Sequence, residues 1–265
     1  TYSTIASIIK YPYSSLSAQG KNKFGFFATE EETIREVTTE LGLKQLGEDP
    51  LRYARHPLVY LVEAADDICY QIMDIEDACK LHILGYDEAQ GLIQGFFADD
   101  ELREIQHIAN TIGDPNERMG YLRSKAINLL VEEAASLFLD AEEAILAGTF
   151  EGSLIQHLSP RLLSAYQACS RTAYAKIYSA REVVDVELAG HRIFSALLDQ
   201  LIEAQMHPDH LYSRTLLSRV SSQYEMNHPT VYGRIQSSLD YISGMTDIYA
   251  LDLYRRITGM NLPAV

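Results

Sequence analysis

The sequence predicts an all-α protein, and three observations carry that prediction. Apolar residues recur at three- and four-residue spacing, Pro and Gly fall between the periodic stretches, and no strand-type alternation runs beyond four residues. The clearest stretch is the helix 58–84, where Leu61, Ala65, Ile68, Ile72, Ile75 and Cys79 form one apolar face and neither Pro nor Gly interrupts. No linker is rich enough in Pro, Gly or Ser to separate two domains. Residues 1–265 are therefore expected to form a single all-helical unit. Within it, 1–112 form a half around the central helix and 113–265 a second helical half.

Taken in order, Ser3 to Lys10 reads as a short helix stopped by Pro12, because proline disfavours helix in the residue before it. Residues 14–27 read as a loop closing on Phe24-Gly25-Phe26-Phe27. Thr29-Glu30-Glu31-Glu32 has the form of a capping box and starts a helix to about Leu41. A turn at 47–50 leads to the central helix, and Gly85-Tyr86-Asp87-Glu88 is a turn and a new start. Helices are expected at 88–97 and 99–112, with Gly113-Asp114-Pro115 as a break. The next spans 117–146, with Leu122, Ile127, Leu130, Val131, Leu137 and Phe138 inward. Pro160 opens a helix to about Ser179, and further helices fit 183–205, 210–223, 229–239 and 246–257.

Composition bounds the function. Hydrophobic residues make up 47% without any run of eighteen, so no membrane span is expected. Thr1-Tyr2-Ser3-Thr4 lacks the basic start and apolar core of a signal peptide, and an opening Thr1 suggests a chain that begins in mid-protein. Three cysteines, Cys69, Cys79 and Cys169, show no C-x-x-C spacing and point to a reducing, cytoplasmic setting. The net charge of −15 disfavours a broad grip on nucleic acid, so single-stranded DNA as a partner has no support from charge. A local basic pocket is compatible with it, and Lys10, Arg55 and Arg234 stand out on the acidic background.

Dinucleotide, P-loop, H-E-x-x-H and G-x-S-x-G motifs are all absent. Among eight histidines, His207 and His210 flank Pro208-Asp209, a pattern that fits a turn and helix cap better than a metal site. On the central helix, Asp66, Tyr70, Asp74 and Asp77 fall within about 80° of each other, and Asp66 and Asp74 stand about 12 Å apart along the axis. An acidic stripe beside an apolar one is ordinarily a solvated face. Tyr70 within the stripe and the basic entry Arg55-His56-Pro57 argue for a ligand instead. One carboxylate with no histidine on the same face is at most part of a metal site.

Lys10-Tyr11-Pro12, Phe24-Gly25-Phe26-Phe27, Arg55-His56-Pro57, the stretch from Glu63 through Tyr70 and Asp240-Tyr241-Ile242-Ser243-Gly244-Met245-Thr246-Asp247 occur in one order along the chain. Together they resemble the deoxyguanosine triphosphate triphosphohydrolases of the HD superfamily. The resemblance implies a multi-helix HD-type fold and hydrolysis of dGTP or other dNTPs to deoxynucleoside and inorganic triphosphate by metal-activated water, with Mg²⁺ or Mn²⁺. It assigns Asp66 to the metal, Tyr70 to the deoxyribose face and Asp74 to the sugar 3′-hydroxyl. Lys10 and Tyr11 are assigned to the triphosphate, and Arg234 to a nucleotide contact from the C-terminal part. It also implies a homo-oligomer, with hexamers common in the family.

One departure qualifies this resemblance. The family's His and His-Asp metal ligands precede the Lys-Tyr-Pro region, and no His-Asp dipeptide occurs in this chain. The catalytic residues are thus unassigned, and the chain is expected to be the C-terminal part of a longer enzyme, inactive alone. The alternative is a non-catalytic helical module for nucleotide binding or oligomerisation. An acidic adaptor bundle that binds partner helices has only the charge in its favour.

Overall fold

The central helix starts where the sequence places it. In the structure, a computed structural model that describes residues 1–17, 23–48 and 51–260, α3 spans Pro57–Lys80. Pro57 occupies the first turn, where a missing N–H costs nothing, and the His56 ring Nδ1 accepts the Leu58 N–H at 3.2 Å. Burial holds the His56 imidazole below its ordinary pKa, in keeping with a neutral, accepting ring. At the other end His82 adopts φ 58°, and Ile83 and His82 donate to the Ala78 and Cys79 carbonyls, a left-handed cap usually made by glycine.

The described residues form twelve α-helices and one short hairpin, in two compact units, Thr1–Ser179 and Ala180–Val265. The first unit holds α1 (Tyr2–Ser7), α2 (Glu31–Glu40), the antiparallel pair β1 (Gln45–Glu48) and β2 (Leu51–Tyr53), α3, α4 (Tyr86–Gln94), α5 (Asp99–Ala109), α6 (Pro115–Asp140), α7 (Glu142–Leu146) and α8 (Pro160–Thr172). Its core forms where α6 lies along α3. Ile68, Ile72 and Ile75 meet Met119, Leu122, Ala126 and Leu130, and Ile72 is 0% exposed. Asp114 caps α6 by accepting the Asn116 and Glu117 N–H groups at 2.7 and 3.0 Å. The buried Glu76 carboxylate joins the two helices through Arg123 and also takes Lys80. The boundary expected after residue 112 lies inside this unit, because α6 belongs with α3. After Thr172 the chain makes one wide turn, Ala173–Ile177, in which Tyr178 N–H reaches the carbonyl five residues back.

The second unit holds α9 (Arg181–Met206), α10 (Leu211–Leu217), α11 (Val231–Ser243) and α12 (Asp247–Ile257), packed around Leu197, Leu201, Tyr241, Ile242 and Leu253. The motif from Asp240 to Asp247 is the junction of α11 and α12, where Thr246 accepts the Tyr249 N–H as N-cap. Among the described residues, no helix is long and apolar enough to cross a membrane.

Several elements depart from the sequence expectation. The first helix ends at Ser7, short of Lys10. Thr29 does not cap α2; the Glu30 carboxylate instead accepts the Phe27 N–H at 2.7 Å and closes a tight turn before Glu31. The helix expected over 117–146 leaves helical geometry at Ala141, and the one expected over 210–223 stops at Leu217. On α3, Ala64 is buried and Ala65 exposed, so the core stripe runs one residue earlier there. Val131, expected inward, is 48% exposed. The strands of the hairpin are too short for any alternation to show. The expected loop residues 18–22 and turn residues 49 and 50 lie outside the described residues.

Candidate functional site

Two neighbouring environments lie along α3. At its N-terminal end, a cavity of about 870 Å³ is lined by Lys10, Tyr11, Tyr13, Lys23, Arg52, Arg55, Tyr60 and the 148–152 loop. Four cations face one carboxylate, Glu151, in a chain of net charge −15, which makes the cavity a local positive field. Gly25 lets the 24–27 segment close on this wall: a Cβ there would meet the Tyr11 carbonyl oxygen at 2.1 Å. Gly148, at φ +66°, sits so close to Ala54 that a side chain would collide.

Glu63, in the second turn of α3, stands behind the cavity wall and is 8% exposed at its side chain. Its two oxygens take Lys10 Nζ and Arg55 Nη1, each at 3.0 Å. Arg55 also donates to the Lys10 carbonyl at 3.0 Å and to the Gly152 carbonyl at 3.2 Å, and lies 5.6 Å from the Tyr60 ring centre. One guanidinium thus ties three chain segments together. Burial works against the Lys10 charge, but the Glu63 partner outweighs it and the ammonium pKa is raised.

Further along α3, Asp66, Tyr70 and Asp74 share one open face. Asp66 is exposed and makes no hydrogen bond or ion pair among the described residues. Tyr70 is 59% exposed, with its ring 6.4 Å from that of Tyr178. Tyr178 Oη donates to Asp74 Oδ2 at 2.7 Å. Burial raises the Asp74 pKa, and the Tyr178 hydrogen bond draws it part of the way back. Between the two environments, the Tyr166 hydroxyl donates to the Asp67 carbonyl at 3.2 Å. Burial, opposed by Lys10, raises the pKa of the Asp67 carboxyl.

Lys10 and Tyr11 therefore share the cavity, and Asp66, Tyr70 and Asp74 share the α3 face. Arg234 lies in the second unit, where its guanidinium donates to the His228 carbonyl at 2.8 Å and the Gln205 carbonyl at 3.0 Å. Glu63, Tyr178, Lys23 and Arg52 carried no assigned role from sequence. Glu63 could have been found as the acid one turn before Asp66 with Arg55 upstream; nothing in the sequence links Tyr178 to Asp74. Asp66 alone does not fit a divalent metal, and no cluster of three or more His, Cys, Asp or Glu suited to a metal occurs among the described residues.

Residues 156–256 match the phosphohydrolase-associated domain family. The whole chain aligns at 32% identity with a deoxyguanosinetriphosphate triphosphohydrolase-like protein of Pseudomonas aeruginosa, covering 61% of that protein. It aligns at 34% over 99% of its length with one from Synechocystis, covering 60%. The chain is thus similar along its whole length to deoxyguanosinetriphosphate triphosphohydrolase-like proteins. A Salmonella arizonae protein named deoxyguanosinetriphosphate triphosphohydrolase is 29% identical over 98% of the chain, of which the chain covers 60%. The chain spans about three fifths of the length of these relatives.

Proposed function

We propose that the whole protein hydrolyses dGTP, or another dNTP, to deoxynucleoside and inorganic triphosphate with Mg²⁺ or Mn²⁺, and that this chain supplies most of the sugar and phosphate contacts. The observation that carries the reading is the pairing of a four-cation cavity with the Asp66, Tyr70, Asp74 face on one helix. The names of the relatives agree with it.

In this reading Lys10 offsets phosphate charge as a compact ammonium and Arg52 as a fork, while Arg55 adds its positive charge from the cavity wall. Asp74 accepts from hydroxyls, as it does from Tyr178, and repels phosphate. Tyr70 packs against the deoxyribose, where a 2′-hydroxyl would crowd it. Because the residues present do not make up a metal site, no chemical step is assigned to a metal here. The face of α3 around Asp66 also exposes Leu58, Val62, Ala65 and Met73. The active protein works in a reducing cytoplasm as a homo-oligomer.

Release of triphosphate from dGTP by the whole protein, with Mg²⁺ or Mn²⁺, is the direct test. Asp66→Ala should abolish it, and Tyr70→Ala should weaken discrimination against GTP; no release from any dNTP would sink the reading. A second reading is favoured by the absence of any His-Asp dipeptide from this sequence: the chain is a non-catalytic helical module for nucleotide binding or oligomerisation. Turnover of dGTP by the 265-residue chain alone would exclude it.

A further inference from the structure

Glu63 is placed where neither a core residue nor a ligand-contacting residue would be. Its carboxylate is nearly buried, does not line the cavity, and holds two of the four cations that do. The two cations are not held alike. Arg55 is fixed by two carbonyls and the Tyr60 face besides Glu63, and its side chain is 23% exposed. The Lys10 ammonium has Glu63 as its ion-pair partner, sits on a flexible stem and is 37% exposed.

We propose that Glu63 is a resident anion of the phosphate cavity, holding Lys10 in place until an incoming polyphosphate takes the ammonium from it, while Arg55 stays bound to Glu63. This deepens the functional reading above and rests on the cavity taking phosphate. Two costs to binding follow. The ligand must break the Lys10–Glu63 pair, and its own charge is repelled by a carboxylate one side chain behind the wall. In return Lys10 is already at the cavity mouth, and its stem does not have to be ordered from scratch. Glu63 is in these terms a positioning residue that moderates affinity.

Isothermal titration of inorganic triphosphate into the 265-residue chain tests this. Glu63→Gln removes the charge and keeps the shape, and its affinity should rise roughly three- to tenfold at moderate salt. A purely structural role would leave affinity unchanged or lower it; either result in a variant with native circular dichroism overturns the proposal. Should Glu63→Gln fail to fold, the carboxyl ¹³C resonance of Glu63 in the unaltered chain decides: it should shift as triphosphate saturates, and a stationary signal overturns the proposal. Binding by the unaltered chain without gain in the variant removes only the role of Glu63. No binding by either removes the phosphate reading as well.

Discussion

Glu63 and Asp74 sit on one helix about three turns apart and have opposite surroundings. Glu63 is pinned by two cations and tied through Arg55 to the segments that wall the cavity. Among the described residues Asp74 meets one phenol hydroxyl, with its face otherwise open. The contrast separates two uses of a carboxylate. A buried one bonded to cations fixes geometry, since removing a partner leaves a charge uncompensated. A half-buried one bonded to a neutral donor keeps accepting capacity for another hydroxyl.

The largest expected effect lies at the pinned end. Arg55→Ala should lower unfolding free energy by about 2–3 kcal/mol in urea titrations, because Glu63, the Lys10 carbonyl and the Gly152 carbonyl all lose a donor. A loss below half of that would make the two ends equivalent and break the contrast. Tyr178→Phe should cost about 1–1.5 kcal/mol at neutral pH. The Tyr178 hydrogen bond favours the ionised Asp74, so its contribution is present above the folded pKa of that carboxyl and shrinks as pH falls through it. Equal losses at pH 7 and pH 3 would show that the charge of Asp74 plays no part.

A smaller effect is expected in alkali. The Lys10 pKa lies above its ordinary 10.5, so the stabilisation from its pairing is fully present below 10.5 and is lost as pH rises through the raised folded value. The destabilisation caused by Lys10→Met should accordingly fade in thermal melts taken above that range. Smallest of all, Asp66→Asn should change stability by no more than about 0.5 kcal/mol, as for an exposed side chain with no partner among the described residues. A larger loss would mean that Asp66 is held like Glu63.

The helices were legible where periodicity and punctuation agreed. Pro57, Gly85 and Asp114-Pro115 each stand at a helix start that the structure keeps, and Ile68, Ile72 and Ile75 lie in the core as their spacing requires. Ala64 and Ala65 could not be told apart, since adjacent residues of one type carry no phase information on a helix. The hairpin escaped because its strands are too short for a period-two signal. The open face of α3 was readable as a stripe, but its partners were not: Tyr178 lies 104 residues from Asp74, and Glu63 meets Lys10 from outside its own helix. Pattern reports which side of a helix is apolar; it does not report what crosses over to meet the other side.

The wide turn at Ala173–Ile177 has a consequence in the language of phase. Leu162, Ala165, Cys169, Ala173 and Ile177 keep one side of this stretch against the core, at spacings of three, four, four and four. Taking an extra residue into a single turn retards everything after it by about 100° relative to a regular helix. Tyr178 therefore faces Asp74 through a local change of pitch. If the same residues relaxed to a uniform helix, that hydroxyl would point about a quarter-turn or more away, and Asp74 would lose its donor with no residue replaced.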